Sequence, residues 1–180
     1  MEGDASIRLF CALRLPDPVL DGLVDWARAA LPEGDGVRRV VRANLHVTLA
    51  FLGHVDAAWL PKIVAALGEA AARAGEIRLT ALRYRETRSV GMVVLDDEEG
   101  RATAFADDLH GRLEALGVYR PEGRPWLPHV TVLRFRERPR LRPDPPDLGL
   151  VAPSDAAAFL SRLSPAGARY EVLESVALGG

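Results

Sequence analysis

Two tetrapeptides, His46-Val47-Thr48-Leu49 and His129-Val130-Thr131-Val132, constrain this chain more than any other feature. Each sets a histidine and a threonine two residues apart inside an apolar, β-branched run. Such a run reads as a strand, in which residues i and i+2 point to one face. His46 and Thr48 then share a face, while Val47, Leu49 and Phe51 take the other and point to the core. His129 and Thr131 repeat the pattern 83 residues later. The chain has four histidines, so half of them fall in one repeated context.

The 180 residues suit one domain or two small lobes around a sizeable core. Formal net charge is −2, which provides no global field for a polyanionic partner. Lys62 is the only lysine, every other basic residue being arginine. Cys11 is the only cysteine, which rules out an internal disulfide and a multi-cysteine metal site. It alternates with Ile7, Leu9 and Leu13, the pattern of a buried structural thiol. The first residues lack a basic-then-apolar leader, and no apolar run approaches the roughly 20 residues of a membrane helix. A soluble, cytoplasmic protein is expected, with no membrane partner.

Periodicity predicts strands over Ser6–Leu13, Val37–Val41, His46–Leu52, Ile77–Arg83, Val90–Leu95 and His129–Phe135. Ala157–Leu163 and Arg169–Leu178 read as closing strands. Helices are predicted from about Pro16 to Leu31, Ala57 to Arg73 and Arg101 to Leu116, each with an apolar stripe. Gly53 is expected to end the first motif strand. The acidic run Asp96–Glu99 reads as a solvated turn, since it lacks the alternating ligands and central glycine of a calcium loop. Several strands follow one another without a helix between them, so the expected class is α+β with antiparallel pairing. The repeated motif suggests two similar lobes facing each other in one domain over residues 1–180.

Neither HExxH nor a Cys/His cluster is present, and zinc ordinarily needs a third protein ligand. No GxSxG elbow supports a serine nucleophile. His54, in a turn, and His110, beside Asp107 and Asp108, are expected to be solvent-exposed. Two unliganded imidazoles suit general acid–base chemistry, because imidazole titrates near neutral pH. One accepts a proton while the other donates one, and two threonine hydroxyls can hold anionic oxygens. That set suits displacement at a phosphodiester without metal or cofactor.

With these motifs the chain resembles the 2H phosphoesterase superfamily. More narrowly, it is similar to the RNA 2′,3′-cyclic phosphodiesterases, historically called 2′-5′ RNA ligases. RLFCALRLP, NLHVTLAFLG, WLPHVTVLR and SRLSPAGARYEVLE all look like blocks of that family, so the likeness spans nearly the whole chain. It departs from the family at Arg42, Ala43 and His54, all outside the motifs. The resemblance implies a two-lobed, pseudo-symmetric α+β fold, with antiparallel sheets lining a central groove and helices outside. It implies opening of a terminal 2′,3′-cyclic phosphate to a 2′-phosphate. His46 would protonate the departing 3′ oxygen, His129 would activate water, and Thr48 and Thr131 would hold the phosphate. Ligation by the reverse reaction is the family's secondary activity. The expected partner is an RNA end, tRNA halves included, met by a monomer.

Seven arginines between Arg120 and Arg142 stand against Glu122 and Glu137, either a basic patch for RNA or a solvated loop. Arg134, five residues after His129, is the best single candidate for the phosphate. Strict alternation puts it on the wrong face, so it reaches the site only if the strand twists or ends there. Phe10 and Trp126 are candidates for stacking on a base or for core packing. Two other readings remain open: a phosphodiesterase of a small cyclic nucleotide, and a non-catalytic RNA-end-binding module.

Overall fold

A computed structural model describes residues 5–179; Met1–Asp4, part of the stretch read for a leader, lie outside it. The strands are β1 (Ser6–Leu13), β2 (Val37–Arg39), β3 (Val47–Asp56), β4 (Thr80–Glu86), β5 (Val90–Asp96), β6 (His129–Phe135), β7 (Asp155–Ser164) and β8 (Gly167–Ala177). The helices are α1 (Asp17–Ala30), α2 (Leu60–Ala74) and α3 (Arg101–Ala115). The chain is α+β, as expected. Among the described residues, no helix is long and apolar enough to cross a membrane.

Local chemistry accounts for the helix ends. Pro18 and Pro61 sit in the first turns of α1 and α2, where a missing N–H costs nothing. Gly75, at φ +66°, ends α2 in an extended, positive-φ conformation that glycine adopts readily. Asp97 accepts from the backbone N–H groups of Ala102 (3.3 Å) and Thr103 (2.8 Å), satisfying orphan donors at the start of α3. The acidic run is thus in part a helix cap.

The strands form one antiparallel sheet in the order β4-β5-β6-β3-β1-β7-β8, with β2 also on β6. The two motif strands are therefore neighbours at the centre of a continuous sheet, joined at Val47↔Val130. Buried residues of the three helices, among them Leu23, Leu67 and Phe105, share a core with Val47, Leu49, Val130 and Val132. That core covers one face of the sheet. The other face carries a smaller cluster of Phe10, Ala12, Ala157 and Phe159.

Three departures from the expected elements have physical causes. β3 continues past Gly53, which sits at φ +70° beside a bulge in its pairing with β1. Ile77 and Leu79 are buried but lie before β4, with Leu79 bridged to Val151. The predicted second helix opens as a single 3-10 turn at Ala57–Trp59, where the Asp56 carboxylate accepts from the Ala58 N–H.

Candidate active site

Opposed residues of an antiparallel pair point to one side of a sheet. Val47 and Val130 are opposed and buried, so His46, Thr48, His129 and Thr131 all project from the other face. The structure thus brings the four motif residues together. In that register His46 lies across from Thr131, and Thr48 across from His129.

The two histidines are oriented by the same local device. His46 Nδ1 donates to the Asn44 carbonyl at 2.8 Å, and His129 Nδ1 donates to the Leu127 carbonyl at 2.7 Å. In each case the carbonyl lies two residues earlier and accepts the ring proton, which leaves Nε2 as the basic nitrogen of the neutral ring. His46 Nε2 accepts from the Thr48 hydroxyl at 2.8 Å. Among the described residues, His129 Nε2 has no protein partner.

Their surroundings differ. The His46 ring lies 4.9 Å from the Phe10 ring and meets Tyr170 edge-on at 5.5 Å. Burial among these rings pushes its pKa down to about 4, and the nearby charges of His129 and Arg134 push the same way. The bond to the Asn44 carbonyl opposes the shift without cancelling it. In the free protein His46 is therefore neutral at pH 7.

A bulge resolves the position of Arg134. β5 pairs Met92 with Thr131 and Gly91 with Leu133, leaving Val132 as an extra residue in β6. Val132 and Leu133 are both buried, the alternation changes phase, and Arg134 emerges exposed on the histidine face. β3 has the matching irregularity. β1 pairs Ala12 with Thr48 and Cys11 with Ala50, so Leu49 is extra. Leu49 and Ala50 are both buried, and Phe51 emerges 48% exposed. Phe51 and Arg134 thus hold equivalent places, each five residues beyond its histidine.

Residues 13–90, which hold the first motif, match the family model described as LigT like Phosphoesterase. The RNA 2′,3′-cyclic phosphodiesterase of Escherichia coli (strain K12) is 27% identical over 172 residues, covering 95% of this chain and 96% of that protein. The crystal structure of TT0787 of Thermus thermophilus superposes with a TM-score of 0.83 at 28% identity, covering 97% of this chain and 99% of that one. The chain is similar to LigT-like phosphoesterases over residues 13–90 and to these relatives over nearly its whole length. The structure of E. coli LigT complexed with 3′-AMP is similar to it as well, with a TM-score of 0.79, 25% identity and the same coverage.

The structure also resolves several other expectations. Phe10 is buried in a stack with Phe159, their rings 5.0 Å apart and nearly parallel, so it packs and offers no free face to a base. Phe51, which alternation alone assigned to the core, is the exposed ring, with the Arg8 guanidinium 4.7 Å from its centroid. Arg8 is itself held by the Ser161 hydroxyl at 2.6 Å. Only the bulge reveals Phe51, and the sequence carries no local sign of it. Trp126 donates its indole N–H to the Thr48 carbonyl at 3.0 Å.

His54 is exposed as expected, but His110 is half-buried, and its Nε2 donates to the Leu49 carbonyl at 2.6 Å. Cys11 is buried, which raises its thiol pKa to about 12 and keeps it from acting as a thiolate. Part of the arginine-rich loop serves structure. The buried Glu86 carboxylate accepts from Arg138 Nε (3.1 Å) and from the backbone N–H groups of Arg140 (2.9 Å) and Leu141 (2.8 Å). A cavity of about 430 Å³ opens beside His46, with Arg14, Arg42, Phe159 and Tyr170 in its wall. Its arginines are paired, Arg14 with Asp155 and Arg42 with Asp17 and Asp21. Among the described residues, no three of His, Cys, Asp or Glu cluster as a metal site.

Proposed function

We propose that this phosphoesterase opens the 2′,3′-cyclic phosphate at the end of an RNA to a 2′-phosphate, using His46 and His129 as an acid–base pair. The observation that carries the reading is the shared orientation of the two imidazoles on adjacent strands, each ring proton committed to a carbonyl two residues back. The E. coli relative's name and the 3′-AMP complex of E. coli LigT support the substrate class.

In this reading His129 Nε2 takes a proton from water as its oxygen attacks phosphorus. The bond from phosphorus to the 3′ oxygen breaks, and His46 Nε2 delivers a proton to that oxygen. Thr48 turns from His46 to the phosphate, and with Thr131 and Arg134 it holds the non-bridging oxygens. Phe51, with Arg8 against it, offers the exposed ring for a base. A 5′-hydroxyl in place of water gives a 2′-5′ linkage by the same steps. RNA ends such as those of tRNA halves are the substrates in this reading, and a monomer carries every residue named.

His46 can act as the acid only once charged, and the bound phosphate supplies the counter-charge that the free groove lacks. The depressed pKa of His46 in the free protein favours a second assignment, in which His46 is the base and His129 the acid. A p-nitrophenyl phosphodiester separates the two, because its leaving group needs no proton. The acid's alanine variant should keep activity on this substrate, and the base's should not. If both variants lose both activities equally, the division into acid and base is wrong.

A further inference from the structure

We infer that Trp126 and His110 are positioning residues, which together hold the two carbonyls at the β3 bulge and so fix Thr48 and His46 against His129. β3 and β6 are in register only at Val47↔Val130. The chain ahead of His129 runs through Pro125 and Pro128, which have no N–H to extend the ladder. The Trp126 indole N–H occupies that place, donating to the Thr48 carbonyl at 3.0 Å. On the β1 side, the ladder passes over Leu49. His110, from α3, donates to the Leu49 carbonyl at 2.6 Å. Its ring is set by a stack on Tyr119, with centroids 4.8 Å apart and planes at 28°. Nε2 carries the proton in this bond.

Two consecutive peptide carbonyls of the motif strand are thus gripped by side chains from outside the β1–β3 ladder. The Thr48 hydroxyl bonds His46 Nε2, so a shift of the Thr48 backbone passes directly to the imidazole. Displacements of a fraction of an ångström matter to acid–base geometry. A buried backbone carbonyl left without its donor is also expected to draw in water.

Trp126→Phe and His110→Phe keep an aromatic ring and remove the donor, whereas His110→Gln keeps an N–H. In NMR titration of the wild type, His46 should be neutral down to about pH 4. Its pKa should rise toward the ordinary imidazole value in both Phe variants and hold in His110→Gln. The kinetic arm rests on the activity proposed above. On an RNA 2′,3′-cyclic phosphate, each Phe variant should lose roughly 10- to 100-fold in kcat with little change in KM, and His110→Gln should recover most of it. Folding at the assay temperature is checked by thermal melting. Folded Phe variants with wild-type His46 titration would overturn the inference, as would a kcat loss that Gln fails to recover or that follows the unfolded fraction. If the wild type does not turn over this RNA, the proposed activity fails, and the titration alone decides the positioning role.

Discussion

His46 and His129 share one backbone arrangement and differ in what surrounds them. Rings enclose His46, and its folded pKa of about 4 lies below the ordinary imidazole value of 6.5. Between those values the unfolded chain binds a proton that the folded chain does not, so stability rises with pH through that window. It is lost as pH falls from about 6.5 through about 4, by roughly 3 kcal/mol for this residue. Urea unfolding of wild type and His46→Gln at pH 7 and pH 4.5 should show the smaller loss in the variant, and equal losses would contradict the burial of a neutral ring. For catalysis, His46→Ala and His129→Ala should each cost about 10²- to 10⁴-fold in turnover while the protein stays folded. Thr48→Val and Thr131→Val should cost less, roughly 1.5–3 kcal/mol of transition-state stabilisation each, because acid and base remain. Full activity in both Val variants would make the hydroxyls structural.

At the scale of elements, the bulges matter most. Leu49 in β3 and Val132 in β6 each add one residue, and each brings the residue five beyond the histidine back to the histidine face. Period-2 alternation locates His46, Thr48, His129 and Thr131, since all four precede a bulge. It fails for Phe51 and Arg134, which follow one. A bulge depends on the partner strand's spacing, which no local pattern records. The expectation that His110 is exposed fails for a related reason. Its neighbours Asp107 and Asp108 suggest a solvated face, while its partner is a backbone carbonyl 61 residues away, invisible in side-chain composition. The arginine-rich loop behaves likewise: its anchor is Glu86, more than 50 residues earlier. Glu86→Ala should leave two backbone N–H groups without their acceptor and release the half-exposed Arg138 guanidinium to water, lowering unfolding free energy by about 3 kcal/mol, read as a lower denaturant midpoint. An unchanged midpoint would show that the loop is held by other contacts.

For the whole molecule, the sequence located most strands and all three helices because their apolar periods are long and uninterrupted, as in β1 and β6, whose bounds agree with the prediction. It suggested two lobes facing each other. The strand order joins the two halves, β4-β5-β6 and β3-β1-β7-β8, at Val47↔Val130, so the paired motifs meet through backbone pairing. Such long-range adjacency is absent from any local window. The most direct test of the two-histidine reading is to incubate the protein with an RNA ending in a 2′,3′-cyclic phosphate, with and without exhaustive EDTA treatment, and identify the terminus formed. The reading predicts a 2′-phosphate at the same rate in both, since neither proton transfer passes through a metal. A 3′-phosphate product, or activity lost to EDTA and restored by zinc or manganese, would contradict it.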